Sequence, residues 1–547
     1  MLRATAIFVL FGWIAGLPLA HAEESSPAQP GAEGVSTSAG ESAEMARLRK
    51  EAKARRRRLI YNNDGNDLWQ KGHATPESFL AERIIPALNT QVDSIFYCTG
   101  VTGLYDHDAN VGERSDDLHE ALKFKETLSI NRRANMHMLR QAKVDSLSLV
   151  TRRAHEAGLE VFWAHRINDI HDSFTDCMLS RWKREHPELL MGTPDDMKRY
   201  DISHPRYFWS ALNFEKPEVL DYLYRITEDV CQRYDVDGIE IDYFRHPLFF
   251  RPNLDYMPAT TWQLDILTSF QRRIRELAYR EGNRRGRPML VATHLPLNVE
   301  KCRYVGIDVQ RWLADDLLDI LVAGSGYQPL SMPMKELVEL GHARGVPVYA
   351  NISESGMEQW GGRVEAWRGA AANIWRSGAD GIHLFNRFPA TPGDPVFATA
   401  GDPLTLARLN KVFGIDNIAE NYGCLEPAVV QSQILPVEFG RSGFPREVNL
   451  PVGDDIAAAA KAGNLANAIL RVKFLARAPD DQVELYLNGT LVKPESDDLE
   501  KGLVTYRPDP GLYHPGDNRL AFRLTAGRPT RKTSVSVESV ELDVEYR

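Results

Sequence analysis

Short apolar runs alternate with longer amphipathic segments over most of the chain after residue 58. The short runs predict strands, and apolar residues at helical spacing predict helices. The predicted strands are Leu59–Asn63, Ser94–Thr99, Glu160–His165, Gly238–Tyr243, Met289–His294, Ile320–Ala323, Pro347–Ile352 and Gly381–Phe385. Predicted helices lie between them, and the last is Leu404–Phe413. This alternation predicts an α/β protein whose first large domain is a (β/α)8 TIM barrel over residues 55–425.

An open, doubly wound sheet is the alternative fold for this alternation. Such a sheet normally carries a glycine-rich phosphate-binding turn after its first strand. Here the first strand is followed by Asp64-Gly65-Asn66, which is not that turn. We therefore prefer the barrel.

The pattern changes in the last quarter of the chain. Leu470–Ala476, Val483–Leu487, Arg519–Leu524 and Val535–Val544 alternate apolar and polar residues, with turn residues at Asn488-Gly489. Residues 426–547 are therefore predicted to form an all-β sandwich of the jelly-roll type.

The N-terminus has the pattern of a secretory signal peptide. A short basic start is followed by an apolar run from Ala6 to Leu19 and by Ala20-His21-Ala22, a small-x-small cleavage pattern. The run is shorter than the roughly 20 residues that a membrane-spanning helix needs. We predict that residues 1–22 are removed on export to the periplasm or the medium, and that residues 23–54 form a linker that is disordered to about residue 43 and charged after it. The charged stretch Arg47–Arg58 could contact a polyanion, but we prefer a solvated helix that leads into the first strand.

Composition excludes several classes of function. The formal charge of −10 gives no general attraction to nucleic acid, and no later segment is apolar enough to span a bilayer. The five cysteines include no C-x-x-C pair, so the sequence predicts no zinc knuckle. No cofactor is predicted.

The fourth predicted strand carries the strongest chemical signal. Strand side chains alternate, so Glu240 and Asp242 share one face while Ile239 and Ile241 take the other. Active sites of TIM barrels lie at the C-terminal ends of the strands, which places Asp242 at the mouth. Glu240 can be a catalytic carboxylate or a structural partner for a basic residue inside the barrel.

Glu354 follows the seventh strand and supplies a candidate second carboxylate. Glycoside hydrolysis uses one carboxyl group to protonate the leaving oxygen and another to attack the sugar or activate water. We predict Asp242 and Glu354 as the principal pair, with Glu240 tuning one of them.

Polar and aromatic residues near the other strand ends are candidates for binding a sugar. They could donate and accept hydrogen bonds with hydroxyl groups or stack on apolar sugar faces. The candidates are Asn62, Asn63, Trp163, His165, Arg166, Tyr243, Arg245, His246, His294, Tyr327, Trp360 and Asn386. The His and Arg content also suggests an anionic sugar, uronic or sulfated, unless these side chains are paired with protein carboxylates.

The segment Asp237 to Pro247, with the eight-unit pattern around it, resembles bacterial glycosyl-hydrolase-like barrel proteins of the family-10-like type. These proteins carry a comparable strand: Asp-Gly, an apolar residue, any residue, an apolar residue, Asp, two aromatic residues, any two, then Pro. The resemblance covers roughly residues 55–420 and implies glycoside hydrolysis with Asp242 as an active-site carboxylate. The C-terminal module resembles galactose-binding or carbohydrate-binding jelly rolls around Gly516-Asp517-Asn518, a likeness that fits a binding role or a structural one.

Two better-understood barrel groups match in part. Glu354 is similar to the strand-seven Glu of the retaining β-glycosidase clan, whose strand-four Asn-Glu pair is missing here. Asp242 and His246 are similar to residues of the α-amylase group, but Glu240 replaces its Arg and strand five lacks its Glu.

Two other functions remain as alternatives. A metal-dependent hydrolase or deacetylase could use His165, Asp169, His171, His294 and Asp242 as ligands, although strand one lacks the usual His-x-His pair. A glycan-binding protein without activity could keep the same barrel.

Overall fold

The structure is a computed structural model that describes residues 41–388, 391–417, 435–440, 444–526 and 534–547. The predicted signal peptide, residues 23–40 of the predicted linker and Cys424 lie outside the described residues. Cys98, Cys177, Cys231 and Cys302 are buried free thiols. Among the described residues, no helix is long and apolar enough to cross a membrane.

Eight parallel strands close into a barrel, which confirms the predicted fold class. The strands are β1 (Leu59–Asn63), β2 (Val92–Tyr97), β3 (Glu160–Arg166), β4 (Gly238–Asp242), β5 (Leu290–Leu295), β6 (Ile320–Gly326), β7 (Val348–Ser353) and β8 (Gly381–Phe385). Each strand pairs with its neighbours in sequence, and β8 pairs with β1 to close the ring. The C-terminal ends of all eight strands therefore meet at one face.

Helices surround this barrel, except for the last helix in the chain, whose Ile456 belongs to the core of the C-terminal region. Their bounds are α1 Ala43–Lys53, α2 Asp67–Gln70, α3 Pro76–Arg83, α4 Ser115–Ala121, α5 Thr127–Gln141, α6 Ser146–Glu156, α7 Arg181–Glu185, α8 Pro217–Arg233, α9 Thr261–Arg285, α10 Val299–Val305, α11 Val309–Ala314, α12 Lys335–His342, α13 Glu354–Glu358, α14 Val364–Arg376, α15 Pro395–Thr399, α16 Pro403–Leu406 and α17 Ile456–Lys461. Three two-residue strands, Gly100–Val101, Leu104–Tyr105 and Glu113–Arg114, form a small sheet after β2.

Alternation along the strands divides their side chains between two cores. The lower barrel interior is apolar and contains Ile60, Phe96, Phe162, Leu290, Ala292, Ile320, Val322 and Tyr349. Opposite side chains such as Tyr61, Val161 and Ile239 belong to the larger core between the barrel and its helices. The upper interior, toward the C-terminal ends of the strands, carries polar side chains instead.

Ion pairs close the N-terminal end of the barrel. Arg57 Nε donates to Glu160 Oε2 at 2.8 Å, and Arg49 Nη1 of α1 donates to Asp319 Oδ1 at 2.9 Å. Helix α1 therefore lies against the barrel. The sequence predicts a solvated helix over the charged stretch that begins at Arg47, and the structure places the helix at 43–53 in contact with the barrel through these ion pairs. Met45 is the buried apolar residue of α1, and Arg49 adds ion pairs to Glu41, Asp316 and Asp319.

The C-terminal region is an antiparallel sandwich, as predicted. Its strands are β9 (Lys411–Ile415), β10 (Val437–Phe439), β11 (Arg446–Val452), β12 (Leu465–Leu475), β13 (Gln482–Leu487), β14 (Thr490–Val492), β15 (Pro494–Asp498), β16 (Leu503–Tyr506), β17 (Gly516–Ala526) and β18 (Val535–Tyr546). One sheet has the order β9-β18-β12-β16-β15, with β10 also paired to β18, and the other has the order β11-β17-β13-β14. Phe474 of the first sheet lies 5.9 Å from Phe522 of the second, ring centre to ring centre, so the two sheets share a core.

The junction between barrel and sandwich differs from the prediction. Residues 411–415 pair with β18 as a strand, where Leu404–Phe413 was predicted to be a barrel helix. The C-terminal sheet therefore begins before residue 426, the predicted boundary. Asp416 anchors this junction, because its carboxylate accepts hydrogen bonds from the backbone of Leu330 and Ser331 and from Trp360 Nε1.

Candidate active site

Glu240 and Asp242 both point into the barrel from β4. Their neighbours Ile239 and Ile241 belong to the outer core, as the strand alternation requires. Glu240 is 0% exposed and Asp242 is 1% exposed. Two buried carboxyl groups two residues apart on one strand are costly unless they are paired or one of them is neutral.

Asp242 lies at the mouth and is paired with a histidine. Its Oδ1 is 3.4 Å from Nδ1 of His294 on β5 and accepts a hydrogen bond from the backbone N–H of Arg245 at 2.8 Å. Burial alone would raise the pKa of Asp242, but the charge of His294 and the nearby Arg166 hold it below its usual value. The same interaction overcomes burial at His294 and raises the pKa of the imidazole. The pair is therefore an ionised carboxylate next to an imidazolium.

Glu240 lies one layer deeper and has the opposite electrostatic character. Asn62 Nδ2 donates to its Oε2 at 3.4 Å, and His383 Nε2 lies 3.5 Å from its Oε1. Burial raises the pKa of Glu240, and the negative charge of Asp242 raises it further. Glu240 is thus held as the neutral acid next to an ionised Asp242.

Asn351 of β7 lies between the two histidines. Its Oδ1 lies 3.2 Å from His383 Nδ1 and accepts a hydrogen bond from it. Its Nδ2 lies 3.1 Å from His294 Nε2, but both groups are donors when His294 is an imidazolium, so His294 Nε2–H donates to the Gly324 carbonyl at 3.2 Å instead. Burial lowers the pKa of His383, and the neighbouring His294 lowers it further, so His383 is neutral. With Nδ1–H donating to Asn351, His383 keeps Nε2 as an acceptor that faces the protonated Glu240.

Several buried polar atoms around this layer make no hydrogen bond of normal geometry with a described residue. Glu240 Oε1 and His383 Nε2 have only their 3.5 Å contact with each other, and His294 Nδ1 has only its 3.4 Å contact with Asp242. Asn62 Oδ1 is a further such atom. Buried polar groups are nearly always partnered, so such a group of atoms at one end of a barrel is characteristic of a functional site.

Glu354 is the first residue of α13, directly after β7, and is about one-third exposed. Its two carboxylate oxygens accept hydrogen bonds from Arg387 Nη1 at 3.1 and 3.0 Å. Arg387 Nη2 in turn donates to Asp394 at 2.6 Å. Glu354 is therefore at the mouth, as predicted, but is held by an arginine that sequence analysis did not identify as its partner.

Phe385, the last residue of β8, lies among the basic groups of the mouth. Its ring centre is 5.8 Å from the Arg166 guanidinium, 5.9 Å from that of Arg245 and 6.2 Å from the His294 ring. Phe385 is 5% exposed. It therefore fills space at the level where a sugar would have to approach Asp242.

The predicted anionic-sugar site is mostly neutralised by the protein. Arg166 lies 3.5 Å from both Asp64 and Asp169, and His294 faces Asp242. Arg245 is the exception, since its Nη2 lies 3.0 Å from His171 Nε2 and no carboxylate pairs with it among the described residues. Arg166 and His294 are thus paired with protein carboxylates, which argues against recognition of an anionic sugar at these two residues.

Four predicted sugar-binding residues point away from the barrel interior. Trp163 Nε1 donates to Thr99, His165 Nδ1 lies 3.1 Å from the Thr227 hydroxyl of α8, and Tyr243 donates to Gln271 of α9. Asn63 Nδ2 donates to Asp67. Burial lowers the pKa of His165 to about 3, which fits a neutral core histidine. These four side chains are structural because strand alternation turns them outward.

The remaining predicted residues are distributed around the rim. Trp360 is not at the site, since it binds Asp416 at the sandwich junction. Tyr327 follows β6 and is 8% exposed. His246 has a left-handed backbone and its ring centre lies 4.8 Å from that of His171. Asn386 follows Phe385, also with a left-handed backbone, and its buried Oδ1 has no protein partner.

The predicted metal ligands do not converge on one point. His165 is on the outer side of the barrel, and Asp242 and His294 form the pair described above. The described residues that lie within metal-ligand reach of one another are Asp169, His171 and His246. Arg166 lies 3.5 Å from Asp169 and Arg245 lies 3.0 Å from His171. These two guanidinium groups would repel a cation, so the arrangement fits the metal hypothesis poorly.

Comparison with known proteins bears on the family. Residues 126–254 match the family model described as Glycosyl hydrolase-like 10. The resemblance predicted from the sequence is confirmed over this segment, which contains β3, α8 and β4 with both Glu240 and Asp242. Among curated proteins, none matches the sequence.

Several glycoside hydrolases of known structure are similar to parts of the chain. The PgaB (BpsB) glycoside hydrolase domain from Bordetella bronchiseptica is 11% identical, with a TM-score of 0.38, over 60% of this chain and 94% of that domain. A Group II chitinase catalytic domain from Ostrinia furnacalis is 13% identical, with a TM-score of 0.28, over 54% of this chain and 63% of that one. A family 18 N-acetylglucosaminidase from Paenibacillus barengoltzii is 13% identical, with a TM-score of 0.27, over 54% and 68%. The barrel assignment itself rests on the strand pairing.

Proposed function

We propose that this protein is an exported glycoside hydrolase that cleaves a polysaccharide or oligosaccharide at the C-terminal face of its barrel. The observation that carries the proposal is the pair of β4 carboxyl groups with opposite protonation, within the segment that matches the glycosyl hydrolase-like family. Glycoside hydrolysis requires one protonated and one ionised carboxyl group that flank the scissile bond at neutral pH.

Asp242 is the carboxylate that contacts the reacting sugar. As an anion at the mouth, it can stabilise the positive charge that develops at the anomeric carbon or activate a water molecule. His294 and the backbone N–H of Arg245 position it. Because Asp242 is 1% exposed, a sugar reaches it only after the side chains at the mouth, Phe385 among them, move aside.

Two residues compete for the role of proton donor. Glu240 is protonated and adjacent to Asp242, but it is 0% exposed. Glu354 is accessible at the mouth, but both its oxygens are bonded to Arg387. The variants Glu240→Gln and Glu354→Gln distinguish the two residues. Only the variant that lacks the true donor cannot protonate the leaving oxygen, so only that variant should lose hydrolysis.

The test is reducing-end release from neutral, uronic and sulfated polysaccharides by the wild type, Asp242→Asn, Glu240→Gln and Glu354→Gln. Glu358→Gln, an exposed residue of the same helix as Glu354, is the matched control. We expect the wild type to release reducing ends and Asp242→Asn to lose at least about a hundredfold in rate, the scale of a lost acid–base group.

The relative rates of the variants identify the two carboxyl groups that carry out hydrolysis. A comparable loss in Glu354→Gln establishes Asp242 and Glu354, and a comparable loss in Glu240→Gln establishes the two β4 residues. Full activity of Asp242→Asn would show that the site is wrong. If no glycan is cleaved, the glycan-binding and metal-dependent alternatives take precedence, and metal analysis of the purified protein distinguishes them.

A further inference from the structure

The loops after β3 and β4 expose an apolar surface on the catalytic face. It consists of Tyr200, Ile202, His204, Tyr256 and Met257, and we call it the aromatic surface. Ile202 is 46% exposed, Tyr256 43% and Met257 58%. Large exposed apolar side chains grouped in this way usually mark a binding surface.

Three rings of the aromatic surface contact one another. The ring centres of Tyr200 and His204 are 4.4 Å apart, and those of His204 and Tyr256 are 5.5 Å apart. Tyr256 also donates a hydrogen bond to the backbone carbonyl of Ser203 at 3.1 Å. The three rings of the aromatic surface are therefore in contact across the two loops.

An ion pair also joins the two loops that carry the aromatic surface. Arg206 Nη2 donates to both carboxylate oxygens of Asp255 at 2.7 Å. These two charges are thus paired within the protein, while the exposed Arg199 and Asp201 flank Tyr200. The aromatic surface therefore offers a ligand apolar contact, with charged side chains beside it.

The aromatic surface lies on the loops after β3 and β4, which also contain residues of the candidate active site. Phe174, 46% exposed, lies in the loop after β3, and its ring centre is 5.9 Å from that of His171. His171 bonds to Arg245, whose backbone N–H donates to Asp242. Exposed aromatic residues therefore lie on the two loops that also carry His171 and Arg245, the neighbours of Asp242.

We propose that the aromatic surface and Phe174 bind the pyranose rings of a glycan chain on one side of the cleavage point. The apolar C–H faces of pyranose rings stack on aromatic side chains, and a row of such side chains fits several successive sugars. This inference rests on the proposed function and deepens it: the substrate is a chain of several sugars rather than a small glycoside.

The first experiment compares chain lengths. The glycan that the wild type cleaves and its own three- or four-sugar fragment are given to Tyr200→Ala/Tyr256→Asn, with Asn chosen because it tolerates the left-handed backbone of Tyr256. Phe444→Ala, an exposed aromatic side chain of the C-terminal region, is the control. We expect kcat/KM on the polymer to fall at least about tenfold and that on the fragment to change less than about twofold. Equal changes on both substrates would overturn the proposal.

The second experiment measures binding without turnover. Electrophoresis in gels containing hydroxyethyl cellulose, glycol chitin, polygalacturonate or chondroitin sulfate is run with Asp242→Asn, with and without the two aromatic substitutions. We expect retardation by at least one polymer and its loss in the aromatic variant, with unchanged thermal unfolding. No retardation by any polymer, or retardation that survives the aromatic substitutions, would overturn the proposal. Retardation without any cleavage by the wild type would instead overturn hydrolysis and leave this binding surface standing.

Discussion

At the residue scale, the informative feature is that two carboxyl groups on one strand are driven to opposite protonation states. Asp242 gains a cationic neighbour, His294, while Glu240 gains neutral neighbours in Asn62 and His383. A difference of one layer in depth is enough to reverse the balance between burial and charge. The sequence identified both residues, but only their three-dimensional neighbours determine which is ionised.

The raised pKa of Glu240 predicts a pH-dependent cost to stability. The folded protein holds this proton above the ordinary value of 4.5, whereas the unfolded chain releases it, so stability falls as pH rises from there through the folded-state pKa. Glu240→Gln does not titrate. Its stability relative to the wild type should therefore increase between pH 5 and pH 9, by about 1.4 kcal/mol for each unit of pKa shift.

Urea unfolding of both proteins at the two pH values measures this difference. Glu358→Gln, exposed on α13, should show no pH-dependent difference from the wild type. A Glu240→Gln protein whose relative stability is the same at both pH values would show that Glu240 has an ordinary pKa in the folded state.

At the element scale, strand alternation separates site residues from structural ones. Asn62, Arg166, Glu240, Asp242 and His294 are at inward positions, and the outward residues beside them bond to helices and loops. Trp163, His165 and Tyr243 were predicted to bind a sugar because they lie near the ends of strands. The alternation of side chains along each strand would have excluded them. The same alternation identifies Asn351 and His383, which the site prediction missed, as inward residues of β7 and β8.

Helix α14 and β9 form the element contact that joins barrel and sandwich, and one glycine permits it. A Cβ on Gly369 of α14 would lie 1.8 Å from the Val412 carbonyl oxygen of β9. Gly369→Ala must therefore separate the two elements, and we expect it to lower the free energy of unfolding by about 1–3 kcal/mol.

Gly282→Ala is the matched control for this prediction. It is also a helical glycine, but its added Cβ would have its nearest neighbours at 3.4 Å, an ordinary contact. Because alanine favours helix, Gly282→Ala should be neutral or stabilising by about 0.5–1 kcal/mol. Thermal or urea unfolding of the two variants checks both expectations, and equal stability of Gly369→Ala and the wild type would contradict the close approach.

At the scale of the whole molecule, direct side-chain contacts hold the sandwich against the barrel. Asp416, Trp360 and an ion pair from Arg363 to Glu541 bridge the two regions. The mouth of the barrel is formed by the loops after β3, β4, β7 and β8, and the segment after β7 carries both Glu354 and the bridging residues Trp360 and Arg363. The sandwich therefore packs directly against α14 and the segment after β7.

Export predicts a specific mature N-terminus. With cleavage after Ala22, N-terminal sequencing of the mature protein should begin at Glu23, and cell fractionation should find the protein outside the cytoplasm. Replacement of Ala20 by a large basic residue, Ala20→Lys, should block processing. A cytoplasmic protein that still begins at Met1 would contradict the prediction.

The sequence by itself determined the order of strands and helices, the barrel, the sandwich and the strand that bears Glu240 and Asp242, because these follow from local periodicity and from the rule that parallel strands present their ends at one face. Only the tertiary structure decided the rest. The strand at 411–415 depends on a partner more than a hundred residues away in sequence, β18, and a short apolar run fits a helix or a strand until that partner is present. Likewise, the neutrality of Glu240, the ionisation of Asp242 and the capture of Glu354 by Arg387 depend on burial and on side chains from other strands, which no local pattern encodes.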